Sequence, residues 1–261
     1  NLVYNKLKVY GETMSFFKQP KLKFECLLPE VAEQMPIIPA SKFQYQWAKK
    51  MVSNMREDKS QCPINFQYTH IARCPGISLV SRQGWIQKSY QDIYIKTDGQ
   101  GNFEWNTPLD QSKLTSEHEW TYPYITYHPG SDTEPYGILK PNTMSAVIKV
   151  NSPWIVTVPK GYYLLCMPIP YHDDNRFTAS IGLIDGDAGI NFLNVQLFWH
   201  CLNSEEVIPA GTPLAQYYLI KKENIDVEIG PYTESTLNGL RNRRISLDSR
   251  YDRKYRDLKE K

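Results

Sequence analysis

Ile181-Gly182-Leu183-Ile184-Asp185-Gly186-Asp187-Ala188-Gly189 leads to the alternating run Val195-Gln196-Leu197-Phe198-Trp199-His200, and then to Val207-Ile208-Pro209-Ala210-Gly211-Thr212-Pro213-Leu214-Ala215-Gln216. A tight acidic turn feeds one strand and a Gly-centred turn feeds the next, and the surroundings repeat that rhythm. Short apolar or alternating runs at 146–150, 154–158, 162–167, 179–184, 194–199 and 214–220 are separated by Pro, Gly, Asn and Asp. Regular short strands bounded by turn residues predict a mainly β fold.

Upstream, residues 2–10 and 22–28 are β-like, and Met35-Pro36-Ile37-Ile38-Pro39 reads as an extended arm. After it, Ser41 is placed to cap a helix with Phe43, Trp47, Met51 and Met55 on one face. Residues 90–96 alternate as a half-exposed strand. Thr97-Asp98-Gly99-Gln100-Gly101-Asn102 supplies a hairpin turn, and Phe103-Glu104-Trp105 returns from it. Residues 108–141 have no clear period and read as long loops. At the other end, 233–240 reads as a short helix, and from Ser246 a charged helix carries Leu247, Tyr251, Tyr255 and Leu258 on one side. The resulting layout is an N-terminal arm with an amphipathic helix over 1–60, a β-rich core over 61–230 and a basic helical tail over 231–261.

Length and composition bound the function. The 261 residues suit one domain with arms or two small ones. No apolar run approaches the roughly 20 residues needed to span a bilayer, so no membrane role is expected. The five cysteines, at 26, 62, 74, 166 and 201, are odd in number and widely spaced, and no secretory leader opens the sequence; free thiols in a reducing compartment are expected. The net charge is +2, yet residues 241–261 hold nine basic and four acidic side chains, which leaves the rest of the chain at about −3. The positive charge sits in the tail.

Three segments carry a resemblance. Pro159-Lys160-Gly161-Tyr162, Gly182-Leu183-Ile184-Asp185 and Gly211-Thr212-Pro213-Leu214-Ala215-Gln216, in this order over 143–223, resemble the motifs of the dUTPase and dCTP deaminase superfamily. The resemblance implies a dUTPase-like β-clip, a distorted barrel with short helical arms, and it makes Asp185 the counterpart of a water-activating base. The departures matter as much. In place of the family's phosphate-gripping Arg-Ser stands Pro168-Ile169-Pro170-Tyr171-His172, and its sugar-stacking Tyr is replaced by Ala188. The Gly- and Ser-rich closing arm gives way to the basic tail. The whole chain is also similar to uncharacterised proteins of tailed phages and bacteria, through Pro39-Ala40-Ser41-Lys42-Phe43, Cys74-Pro75-Gly76, Asn151-Ser152-Pro153-Trp154 and the Tyr255-containing tail.

These readings lead to a non-catalytic structural or interaction protein on a degenerate dUTPase-like fold, without cofactor. The resemblance implies a phage-encoded, virion-associated protein, located in the virion or host cytoplasm and partnered by its own copies or by other virion proteins. A first alternative is a Mg²⁺-dependent nucleotide pyrophosphatase or deaminase, with Asp185 as base and arginines such as Arg176 or those of the tail on the phosphates. A second is nucleic-acid binding by Arg241, Arg243, Arg244, Tyr251, Arg253 and Tyr255, whose affinity would fall steeply with salt. His128, Asp132, His172, Asp173, Asp174 and His200 invite an iron-oxygenase reading, but the His-x-Asp spacing is absent and no metal site is expected.

Overall fold

The computed structural model describes residues 20–47, 49, 50, 53, 75–108, 123–137, 139 and 141–240. Its spine is a strand of eleven residues, Val147–Thr157, in which buried and half-buried positions alternate along most of its length. The sequence reads as two strands there because Asn151-Ser152-Pro153 looks like a turn. The chain instead bulges: the register with its neighbour shifts between Phe192 and Asn194, opposite Ser152-Pro153-Trp154. A bulge is one of the few places where a strand tolerates proline.

In chain order the strands are β1 (Lys23–Cys26), β2 (Ile38–Pro39), β3 (Trp85–Lys88), β4 (Ile93–Thr97), β5 (Phe103–Asn106), β6 (Ile125–His128), β7 (Val147–Thr157), β8 (Tyr162–Met167), β9 (Phe177–Ala179), β10 (Gly182–Asp185), β11 (Ile190–Trp199), β12 (Glu205–Ile208) and β13 (Pro213–Lys221). They form three antiparallel sheets. The first runs β1-β7-β11-β9, with β6 also on β7; the second runs β10-β8-β13-β3-β2; the third is β12-β4-β5. The protein is mainly β, as its sequence predicts. Each sheet has open edges, so no closed barrel forms among the described residues.

A continuous core draws on all three sheets: Ile148, Val150 and Val156 of β7, Leu193, Val195, Leu197 and Trp199 of β11, Leu164 of β8, Tyr217 of β13, Ile95 of β4 and Ile208 of β12. Each fully buried aliphatic side chain of this kind contributes about 1.5–3 kcal/mol relative to exposure. Facing pairs such as Val195 with Val150 and Leu197 with Ile148 set the β7–β11 register, because a one-residue slip would turn the apolar set outward.

The predicted β4–β5 hairpin is present, with Tyr94 to Thr97 facing Asn106 to Phe103. Its turn is tied by the Asp98 carboxylate, which accepts from the Gln100 and Asn102 backbone N–H groups. Residues 179–184 do not form one strand: β9 joins the first sheet and β10 the second, the chain crossing at Ser180-Ile181. Ser41 lies within a single 3-10 turn, Ala40–Lys42, rather than capping a helix. Residues 46, 47, 49 and 50 are helical, but Phe43 precedes them in non-helical backbone, and Met51 and Met55 lie outside the described residues. Phe43, Tyr45 and Trp47 follow one another as a ladder of rings, with centroids 4.8 and 5.5 Å apart. The predicted loop region 108–141 contains β6, while residues 2–10 and the charged helix from Ser246 fall outside the described residues.

The chain divides into two units, Asn1–Lys222 and Glu223–Lys261. In the second, residues 234–240 are helical as predicted, with the Thr233 hydroxyl accepting from the Thr236 N–H at 3.2 Å. No helix among the described residues is long and apolar enough to cross a membrane.

Candidate functional site

The Pro159–Tyr162 turn and the Gly182–Asp185 strand, far apart in sequence, meet at one end of the second sheet. β10 pairs with β8 so that Asp185 stands opposite Tyr163. Gly186 then passes so close to the turn that an added Cβ would lie 2.3 Å from the Pro159 carbonyl oxygen and 2.8 Å from that of Tyr162. Only glycine permits this approach.

Asp185 is tied into this arrangement through its Oδ1 oxygen. Its carboxylate accepts the Asp187 backbone N–H at 2.8 Å, capping the 3-10 turn Gly186–Ala188. It also receives the ammonium of Lys222, which lies just past β13 and binds the Asp187 carboxylate as well. Asp187 in turn accepts from the Gly161 N–H at 3.2 Å, and the Lys222 ammonium sits over the Tyr163 ring, 4.5 Å from its centre. One cation and two carboxylates thus tie the two turns to the end of β13. The Lys222 hydrogen bond, helped by the Asp187 N–H, holds the Asp185 carboxyl below its ordinary value, and the same cation does so for Asp187. A depressed carboxylate is a weak proton acceptor.

This pairing implies a pH dependence. Both carboxyls have folded pKa values below their ordinary 3.8, so their contribution to stability is complete above that value. It is lost as pH falls through the folded values, because the unfolded chain then binds more protons. Thermal melts from pH 7 to pH 3 should show a fall in melting temperature beginning below about pH 4. In Lys222→Met that acid-dependent fall should shrink; an identical acid profile in the variant would contradict the ion-pair assignment.

The third motif has a different task. Gln216 is completely buried on β13, with Tyr45 donating its hydroxyl proton to Oε1 at 2.9 Å. Its Nε2 donates to the carbonyls of Val80 (2.9 Å) and Gln83 (2.6 Å), at the end of the helix Pro75–Arg82. The residue fastens the helix and the N-terminal arm to the second sheet and faces no open space.

Pro168-Ile169-Pro170-Tyr171-His172 leaves the opposite end of β8. Tyr163 and Pro168 are five residues apart on this strand, about 17 Å at the rise of a strand, so Asp185 does not share a site with this turn. The turn borders a cleft of about 380 Å³ whose polar lining includes His172, Asp174, Asn175, Thr178 and His200. Of the residues considered as iron ligands, His172, Asp174 and His200 line this cleft and each makes a hydrogen bond within the chain, while His128, Asp132 and Asp173 are not among its lining residues. The Asp174 backbone N–H donates to His172 Nδ1 at 3.0 Å. The Asp174 carboxylate holds Arg176 through Nε at 2.9 Å and Nη2 at 2.6 Å, while Arg176 Nη1 donates to the Val207 carbonyl. His200 lies between the hydroxyls of Thr143 and Thr178, at 3.2 and 2.8 Å. Burial pushes the His172 pKa down, and burial of Asp174 is outweighed by Arg176, which leaves its carboxyl below the ordinary value. No group of three or more His, Cys, Asp or Glu side chains is arranged as metal ligands among the described residues.

Asp185 and Arg176, paired by the enzymatic alternative, are not brought together: one closes β10 in the second sheet and the other precedes β9 in the first. Arg241, Arg243, Arg244, Tyr251, Arg253 and Tyr255 lie outside the described residues. Cys26, Cys166 and Cys201 are free thiols, and Cys62 and Cys74 fall outside the described residues. Burial raises the Cys166 thiol to about 11, which keeps it protonated and unreactive. Lys222 is the residue that sequence reading missed at Asp185. Its only local signal is a lysine one step beyond an apolar strand. No protein-family model matches the chain, and no curated protein matches it.

Proposed function

We propose that this chain is a non-catalytic interaction protein built on a degenerate dUTPase-like β-clip. One observation carries the reading: the Lys222 ammonium and the Asp187 N–H both bind Asp185 Oδ1 and hold this carboxyl below its ordinary value. A general base works best with a pKa near the working pH, and phosphoryl transfer needs cationic groups arranged around the phosphates. Here the cation nearest Asp185 is shared with the Asp187 carboxylate, and Arg176 is held by Asp174 and Val207. The framework of turns serves architecture: Gly186 closes the Pro159 turn and Gln216 anchors the arm.

The proposed mode of action is assembly, as a homo-oligomer or with other virion proteins, and it needs no cofactor. The test is incubation of purified protein with a panel of ribo- and deoxyribonucleoside triphosphates and Mg²⁺, alongside Asp185→Asn. The expected result is no turnover in either protein and no rise in melting temperature with nucleotide. Turnover abolished by Asp185→Asn would replace this reading with a nucleotide hydrolase or deaminase.

A further inference from the structure

We propose that the cleft beside the Pro168–Asn175 turn is a binding site for a neutral sugar ring, with Tyr171 as the stacking surface and His172, Asn175 and Thr178 as hydrogen-bonding groups. This site is separate from the Asp185 cluster and does not depend on the nucleotide result.

The first support is the make-up of the cleft. At about 380 Å³ it lies at the lower end of small-molecule pockets. Ile169, Phe177, Ala179 and Leu214 give it buried apolar walls. Its polar groups include both donors and acceptors. With the Asp174 N–H donating to His172 Nδ1, a neutral imidazole carries its proton on Nε2 and is a donor there. Asn175 offers both an amide donor and an acceptor, and Thr178 a hydroxyl.

Charge narrows the ligand class. The carboxylate lining the cleft is neutralised within the chain by the bidentate Arg176 pair, and burial disfavours the charged form of His172. A phosphate or carboxylate would meet no uncommitted guanidinium among the lining residues, and binding one would leave its charge poorly compensated. A pyranose meets the requirement without charge: its hydroxyls donate and accept, and its C–H face is apolar.

Two local observations point to the rim. Tyr171 has φ +56°, a left-handed backbone that L side chains avoid, and the residue is 55% exposed. Such strain persists only where the surrounding structure enforces it, and it gathers at ligand clamps. Here it presents an aromatic ring at the mouth of the cleft. Against that ring, with centroids 5.6 Å apart, stands Trp47. The Trp47 indole N–H is buried and finds no acceptor among the described residues.

The test is saturation-transfer NMR and calorimetric titration of the full chain with glucose, galactose, mannose and N-acetylglucosamine. Each is used at ~10 mM, enough to reveal a millimolar binder. Glucuronate and glucose 6-phosphate serve as charged counterparts, and Tyr171→Gly and His172→Ala as variants. Glycine accepts the left-handed backbone without strain, so Tyr171→Gly removes the ring and keeps the turn. The expected result is saturable binding of at least one neutral sugar, at least ~10-fold weaker in Tyr171→Gly, weakened also in His172→Ala, and weaker for the charged counterparts. Absence of binding by the folded wild-type protein, binding unchanged in both variants, or preference for a charged counterpart would each overturn the proposal.

Discussion

Gly84→Ala is expected to cost about 3–5 kcal/mol of stability, the sum of a clash and a backbone strain. Gly84 has φ +79°, and a Cβ added to it would lie 1.9 Å from the Tyr217 carbonyl oxygen and 3.0 Å from the carbonyl carbon. Both are backbone atoms of the central strand β13, so no side-chain rotation relieves the overlap. The residue next to Gly84, Trp85, is registered opposite Tyr217, and the Gly84 carbonyl accepts the Ala40 N–H at 2.9 Å. Moving Gly84 outward therefore loosens β3 from β13 and the N-terminal arm from β3 at once. Urea unfolding followed by tryptophan fluorescence should show a large fall in the midpoint. A variant as stable as the wild type would mean that β3 does not approach β13 as closely as described.

Gln216→Leu is expected to cost about 3 kcal/mol, although leucine is close in volume and more apolar. The substitution removes three hydrogen bonds and leaves the Tyr45 hydroxyl and the carbonyls of Val80 and Gln83 without this partner. The Val80 carbonyl keeps the Tyr218 hydroxyl at 2.5 Å, but the buried Tyr45 hydroxyl is orphaned, at about 1–3 kcal/mol, and with the lost Gln83 bond this exceeds what the added apolar contact returns. Tyr45→Phe removes only one of the bonds and should cost about 1 kcal/mol. Combined with Gln216→Leu it should add little, since the shared bond is already lost. Chemical denaturation of the two single variants and the double variant measures this coupling. Strict additivity would show that the arm is not held through Gln216.

The strands most legible in the sequence were those with explicit punctuation. β8 occupies 162–167 as predicted, between Pro159-Lys160-Gly161 and Pro168, and the β4–β5 hairpin follows from Asp98-Gly99. β3 was not identifiable because its pattern is not alternating: Ile86 and Gln87 are both buried, and Gln87 accepts the Tyr217 hydroxyl proton at 2.7 Å. A polar residue inside a strand buried on both faces looks like a loop residue until its partner, 130 positions away, is known. β12 was hidden by its charges. Glu205 pairs with Lys96 across the strands while Ile208 alone reaches the core. Phe43, Tyr45 and Trp47 defeat a helical period, because a spacing of four selects Phe43 and Trp47 and passes over Tyr45, the buried member of the ladder.

The site was legible in its parts and not in its assembly. Pro159–Tyr162 and Gly182–Asp185 stand out in the sequence, and they do meet. Lys222, which sets the electrostatics of Asp185, reaches it only because β13 lies beside β8 in the sheet, a pairing with no local signature. His172 and His200 carry no spacing motif either. They share a cleft because the chain crosses between sheets around β9.

The pairing of β3 with β13 also shapes how the chain is made. Residues 85–88 leave the ribosome long before residues 213–217, the strand that completes their side of the sheet, and β1 likewise waits for 154–157. A nascent chain therefore carries Trp85, Ile86 and the Phe43–Trp47 ladder without their lasting cover for most of translation, a span in which exposed apolar segments are prone to self-association. A product released before Pro213 lacks the central strand that joins the β10–β8 pair to the β3–β2 pair.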